Sequence, residues 1–143
     1  MELKQQFEQV MSSSVNMALA TCVNDKPNVR IVTFAYDKNR EGKLYFSTFK
    51  GNQKIAEFTQ NPNVSCMPLP EAAEADLQVR IFGKVQKSAM SLEELVTLIA
   101  PKYPDGADTM KMGGNMMEIY EVCFTEAFIT VGMMEAHYIL IKR

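Results

Sequence analysis

The sequence predicts a mainly β protein with flanking helices, folded as an antiparallel barrel. Three observations carry that expectation. Segments of strand character follow one another at short spacing, joined mostly by hairpin-type turns. The helical patterns are short and flank the strands. The first strand, "VNMALATCV", sets Val15, Met17, Leu19 and Val23 on one face and Asn16, Ala18, Ala20 and Cys22 on the other. A large face backed by a small one is what the wall of a small barrel, or a closely approaching ligand, requires.

The elements follow in order. "MELKQQFEQVM" places Leu3, Phe7, Val10 and Met11 at helical spacing. After the first strand, "NDKP" is a turn, "NVRIVTFAY" a second strand, "DKNREG" a turn and "KLYFST" a third strand. A short helix, "NQKIAEF", ends before Pro62, and "NPNVSCMPL" is a fourth strand broken by prolines. "PEAAEAD" is a polar connection to the long fifth strand "LQVRIFGKVQK", where Gly83 marks a bulge or a close approach. "SLEELVTLIA" carries Ser91 three residues before Glu94, the capping-box pattern of an ordinary helix start. "KYPDGADTMKMGG" reads as a loop holding a helical turn, "MMEIYEVCFTEAFITV" as one last long strand and "GMMEAHYILIKR" as a tail.

At 143 residues and 47% hydrophobic, the chain fits one compact domain, residues 1–143, with a real core. A net charge of −2 with interspersed lysines and acids excludes a nucleic-acid surface. The apolar runs are too short to span a membrane, and the first helix lacks the apolar core of a signal peptide. Cys22, Cys66 and Cys123 show no paired spacing and read as reduced, buried thiols, which places the protein in the cytoplasm. A single histidine, His137, supports neither a zinc cage nor a Ser-His-Asp apparatus, and reads as a structural or surface residue. The eleven methionines, clustered at 110–117 and 133–134, read as core or interface filler, with lining of a cofactor as the alternative.

The informative stretch is "STFKGNQKIAEF", Ser47 to Phe58. Helix N-termini favour acids, because unpaired N–H groups make that end partly positive. Lys50 and Lys54 stand there instead, with no acid until Glu57. Either both lysines are merely solvated, or backbone, dipole and lysine converge on a bound anion. Ser47, Thr48, Asn52 and Gln53 add neutral donors that suit a phosphate. Arg30 sharpens the second reading. It shares a strand face with Val32, Phe34 and Tyr36, and a guanidinium on an apolar face needs either a partner or a route to the rim. If the second and third strands form a hairpin, Arg30 lies beside Ser47 and Thr48, below the Lys54 helix.

"RIVTFAYD", "YFSTFKGNQKIAEFTQNPNVS" and "LQVRIFGKVQKS", in this order and spacing, resemble the pyridoxamine 5′-phosphate oxidase-like flavoproteins. These are the FMN-binding split β-barrels, which also include general-stress and nitroimidazole-resistance proteins. The resemblance is good from Val15 to Ser91 and loose beyond. It implies an FMN site. Arg30, Ile31, Val32 and Thr33 would touch the flavin and its phosphate, Ser47 and Thr48 would match an aromatic–threonine pair, Asn52, Gln53 and Lys54 would bind the phosphate, and Gln78 would contact the flavin. Two departures stand out. Gln53 replaces the family's arginine, and "EAHYILIKR" lacks the Arg- and His-bearing segment that reads the substrate phosphate in true vitamin B6 oxidases.

The resulting expectation is a cytoplasmic FMN-dependent oxidoreductase acting on a small molecule or electron donor, with no residue singled out as acid or base. The rival is a flavin- or heme-binding carrier, sensor or stress protein without turnover. The surplus of apolar residues in Leu77–Val85, Met117–Val131 and the methionine clusters, together with the resemblance, implies a homodimer with the cofactor at the subunit interface.

Overall fold

The computed structural model describes residues 2–71 and 76–140; most of the "PEAAEAD" connection and the last three residues of the tail lie outside them. Helix α1 (Leu3–Ser13) precedes strands β1 (Asn16–Val23), β2 (Lys26–Thr33), β3 (Ala35–Tyr36) and β4 (Lys43–Phe49). Helix α2 (Gln53–Gln60) leads to β5 (Asn63–Pro68) and β6 (Leu77–Lys87). Helices α3 (Leu92–Ile99) and α4 (Pro104–Gly113) precede β7 (Met117–Cys123), β8 (Glu126–Val131) and β9 (Met134–Ile139). Every strand pairing is antiparallel.

The main path of the sheet runs β2-β1-β5-β6-β7-β4-β3. Its two ends, β2 and β3, are consecutive in the chain and separated only by Phe34. The sheet therefore closes on itself through one bent strand. Beyond the bend, β2 pairs with β1 and β3 with β4, so β2 and β4 stand apart without a ladder between them. This is the split of the barrel, and it corrects the expected hairpin between second and third strands: only Ala35 and Tyr36 pair with β4. Phe34 is fully buried and its N–H donates to the Val15 carbonyl, so burial and a backbone bond together hold the bend.

Turn chemistry fixes the registers on either side. Asn24 and Asp25 both adopt positive φ in the two-residue β1–β2 loop, as a type I′ hairpin demands. Gly132, at φ 59°, opens the two-residue β8–β9 loop. That hairpin resolves the supposed tail into a strand. The last long strand likewise divides into β7 and β8, because β6 pairs with β8 through Leu77–Ile81 and with β7 through Lys84–Lys87. Buried Phe124 turns inward at the break between them. Gly83 is a close approach: a Cβ there would stand 2.6 Å from the Cys123 carbonyl oxygen on β7.

The barrel interior is filled by Met17, Leu19, Val32, Leu44, Phe46, Val79, Ile81, Val122 and Ile129. Helix α1 closes one end with Phe7, Val10 and Met11, its Phe7 ring meeting Tyr36 edge-on at 5.5 Å. A second core lies outside the barrel, where Leu95, Val96, Ile99 and Ala107 cover Ala35, Tyr45 and Ile119. The segment read as a loop is therefore helix α4. Pro104 starts it, and Gly106 packs beneath the Tyr103 ring with no room for a side chain. Ser91 caps α3 as expected, accepting the Glu94 N–H at 3.1 Å. The methionines divide: Met11 and Met17 are core, whereas Met112, Met116, Met133 and Met134 are exposed. Of the cysteines, Cys66 alone is buried, and burial pushes its thiol pKa up to about 12. Among the described residues no helix is long and apolar enough to cross a membrane.

Lys102, in the α3–α4 connection, fastens this second layer to the bend. Its ammonium lies 4.1 Å from the centre of the Phe34 ring and donates to the Ser14 carbonyl at 2.6 Å. Burial pushes its pKa down to about 8. A folded-state pKa below the unfolded one means that the unfolded chain binds more protons between about pH 8 and the ordinary lysine range, so stability rises with pH through that window. Lys102→Met keeps the apolar stem and removes the titration. The wild type should therefore gain stability relative to this variant between pH 7 and about pH 10 in urea unfolding. A difference that stays flat with pH would contradict the assignment.

Candidate functional site

Helix α2 lies across the mouth of the barrel where β2 and β4 separate. Phe58 enters the interior, 4.9 Å from Tyr120 and 6.1 Å from Phe46 between ring centres, and fixes the rotation of the helix. That rotation sends Glu57 toward β1 and β2, and Lys54 toward β4. Asn52 supplies the N-cap, its side-chain oxygen accepting the Lys54 N–H at 3.1 Å.

On the β4 side, the Lys54 ammonium donates to the Thr48 hydroxyl at 2.7 Å. Thr48 is only 3% exposed, so this hydroxyl is presented to the lysine from the barrel wall. On the other side, Arg30 stands opposite Leu19 in the β1–β2 ladder and faces inward. Its guanidinium pairs with Glu57 and donates to the Thr21 hydroxyl at 2.9 Å. Thr21 in turn donates to Glu57 at 3.0 Å, and the Asn28 amide donates to the second carboxylate oxygen at 3.2 Å. The partner that Arg30 requires is thus a carboxylate from the helix itself.

The electrostatics follow from this placement. Burial lowers the Lys54 pKa, and the nearby Arg30 charge lowers it further against the opposing pull of Glu57. Burial alone would raise the Glu57 pKa. The hydrogen bonds from Asn28 and Thr21 and the charge of Arg30 outweigh it and hold the carboxyl below its usual range. Two cations and one carboxylate leave the mouth with a net positive charge at the first turn of a helix, a setting that attracts anions.

The remaining sequence-derived residues distribute around this centre. Asn52 and Gln53 are exposed at the start of α2. Val32 faces the core opposite Met17, so its side chain is closed to any ligand. Ile31 and Thr33 point to the opposite, outer side of β2. Ile31 is 63% exposed, and Thr33 donates to the Asn16 side chain at 2.9 Å. Ser47 lies on the outer side of β4, opposite Ile119. Gln78 is exposed on β6 opposite Thr130. Arg30, Thr48, Asn52 and Lys54 are therefore gathered at α2, while Ile31, Thr33, Ser47 and Gln78 belong to outer surfaces. Lys50 is exposed, its N–H donating to the Met116 carbonyl.

Three residues of the mouth were not anticipated: Thr21, Asn28 and Glu57. Thr21 had a legible signal, since it is a hydroxyl in the inward-facing phase of an apolar strand. Glu57 is the first acid after two lysines, but its orientation depends on where Phe58 anchors the helix. The His137 ring donates from Nε2 to the Glu126 carboxylate at 2.8 Å and stacks on Phe128 at 4.8 Å.

Comparison with known proteins adds the relatives of this arrangement. The family model described as pyridoxamine 5′-phosphate oxidase-like matches residues 10–136. No curated protein sequence matches the chain. Among solved structures, General Stress Protein 26 from Bacillus anthracis superposes with a TM-score of 0.67 at 18% identity, covering 91% of this chain and 95% of its own. A NimC/NimA family protein from Clostridium acetobutylicum gives 0.66 at 20% identity, covering 95% and 91%. HutZ, the heme storage protein of Vibrio cholerae, gives 0.69 at 14% identity, covering 91% and 96%. At these identities the likeness is one of fold.

Proposed function

The chain belongs to the pyridoxamine 5′-phosphate oxidase-like family, and from that premise we propose that it is an FMN-dependent oxidoreductase acting as a homodimer on a small organic substrate. The observation that carries the reading is the placing of two cations at α2, Lys54 in its first turn bonded to Thr48 and Arg30 on β2 paired with Glu57, near enough for the Arg30 charge to bear on Lys54. A phosphate monoester needs cations, hydroxyl donors and, where available, helix N–H groups. The mouth offers the cations and the Thr48 hydroxyl beside the first turn of α2, and such an anion offsets both the burial that chiefly lowers the Lys54 pKa and the Arg30 charge that lowers it further.

In this reading Lys54, held by Thr48, contacts the phosphate, and Arg30 contributes from β2. Gln53, standing where the family has arginine, leaves one charged contact fewer. Ile31 and Thr33 on the outer side of β2 meet the ring system, while Ser47 and Gln78 enter only through the family resemblance. The bound flavin supplies the electron-accepting chemistry, and the chain supplies orientation, charge and exclusion of water. The stretch "EAHYILIKR" does not reproduce the Arg- and His-bearing segment of vitamin B6 oxidases, which favours a different substrate.

The homodimer rests on the uncovered side of the sheet. Helices α3 and α4 cover β3, β4 and β7, whereas Val29 and Ile31 on β2 are each 63% exposed and Phe82 on β6 is 52% exposed. Ala18 and Ala20 lie between them on β1, opposite Ile31 and Val29, and their small side chains allow a second sheet to approach. A two-fold pairing through this face buries Ile31 of each copy and encloses the ring system.

Three outcomes are expected. The freshly purified protein shows flavin absorbance that bleaches on adding NAD(P)H. A Soret band would instead favour a heme-holding protein, the reading that the likeness to HutZ supports. Lys54→Ala weakens FMN binding by about 1.5–3 kcal/mol, the loss of a charge-assisted hydrogen bond, and leaves riboflavin binding unchanged in a fluorescence titration. Ile31→Glu puts a charge into the apolar face on each copy and yields a monomer in sedimentation velocity. A variant that sediments like the wild type would move the interface elsewhere.

A further inference from the structure

We propose that Glu57 is a built-in competitor of the cofactor phosphate: its carboxylate occupies a ready-made anion seat formed by Thr21, Asn28 and Arg30, and must yield that seat for the phosphate to engage Arg30. The inference rests on the phosphate reading of the α2 mouth given above.

The donor set carries the argument. A threonine hydroxyl, an asparagine amide and an arginine guanidinium converge on one carboxylate at 3.0 Å, 3.2 Å and in direct ion-pair contact. The guanidinium also braces the same hydroxyl at 2.9 Å, so the seat is cross-linked within itself. These are the groups that hold a phosphate in an anion site, and two of the three are neutral donors that serve either anion equally. The seat lies at the rim. The side chains of Arg30 and Glu57 retain 20% and 14% exposure, so an incoming anion reaches it without unfolding the barrel. Glu57 belongs to α2, the helix whose N-terminal turn carries Lys54, and the two side chains are three positions apart on one element. A phosphate drawn to Lys54 therefore arrives beside the carboxylate that blocks Arg30, and repels it.

A solvated surface ion pair would not have this consequence, because it gives up its partner at almost no cost. Here each oxygen of Glu57 accepts from a protein donor, so displacement forfeits several hydrogen bonds at once. The effect of the pair is to subtract from phosphate affinity while leaving recognition of the uncharged part of the cofactor alone. It also makes the seat selective among anions, since only one with enough charge and acceptors to replace the carboxylate gains entry.

The test is Glu57→Gln, which keeps size and a hydrogen-bonding end while removing the charge, titrated with FMN and with riboflavin. FMN binding is expected to tighten about tenfold, the worth of one charge-assisted contact released to the ligand, with riboflavin unchanged. In Glu57→Gln/Arg30→Ala the gain should vanish, because it acts through the guanidinium. An FMN affinity that falls in Glu57→Gln would show that Glu57 positions Arg30 for the ligand and would overturn the proposal. So would a gain that persists without Arg30. If Glu57→Gln does not fold, Glu57→Asp, which keeps the charge but withdraws it by one methylene, should show a smaller gain of the same sign, and a loss would count against it. A wild type that binds FMN and riboflavin equally well defeats the phosphate reading and this inference together. Discrimination by the wild type with no change in Glu57→Gln defeats this inference alone.

Discussion

The bend at Phe34 governs the rest of the molecule. A single extended segment supplies both ends of the sheet path, and the change of direction lets β2 pair with β1 while β3 pairs with β4. An aromatic ring driven into the core at that point makes the bend a consequence of burial, reinforced by the N–H donated to Val15. Lys102 adds a charge on the ring and a bond to Ser14, so the junction of α1 with β1, the bend and the α3–α4 connection meet at one place.

A barrel closed through a bend rather than a ladder leaves a gap, and the gap is where α2 must sit. One short helix spans it with three side chains of different character. Phe58 anchors in the core, Glu57 reaches β1 and β2, and Lys54 reaches β4. The charges that define the candidate site are therefore also the fastening of the helix over the split. This double use explains why the site is positive in sum and yet partly neutralised from within. A mouth held by cations alone would suffer their mutual repulsion, which adds to burial in lowering the Lys54 pKa.

The two sides of the sheet are treated unequally. One outer surface is buried under α3 and α4 by a second cluster that includes Tyr45 and Ile119. The other keeps Val29, Ile31 and Phe82 in solvent, with alanines between them. Large branched and aromatic side chains left on a strand face beside small ones favour contact with another sheet. Farther along, Arg80 lies between the Phe82 and Phe128 rings, at 5.9 Å and 5.6 Å from their centres, and pairs with Glu135.

Sequence alone determined the features that are local. Strand patterning located β1 and the full length of β6, the Ser91 box located α3, and a lysine in the first turn, with no acid before Glu57, marked α2 as unlike an ordinary helix. The family motifs, read in order, identified the split barrel. Where a signal depends on partners distant in the chain, the sequence was silent. Whether 117–131 forms one strand or two is decided by β6, which pairs with both halves, and the closing hairpin of β9 by having β8 beside it. The same division holds at the site. Lys54, Asn52 and Thr48 are near neighbours in the chain and could be grouped by inspection. The partner of Arg30 lies 27 residues away on a helix whose rotation is set by Phe58, so only the packed structure could reveal that the guanidinium already holds a carboxylate. Spacing specifies which faces a segment has, but the core decides which way each face is turned.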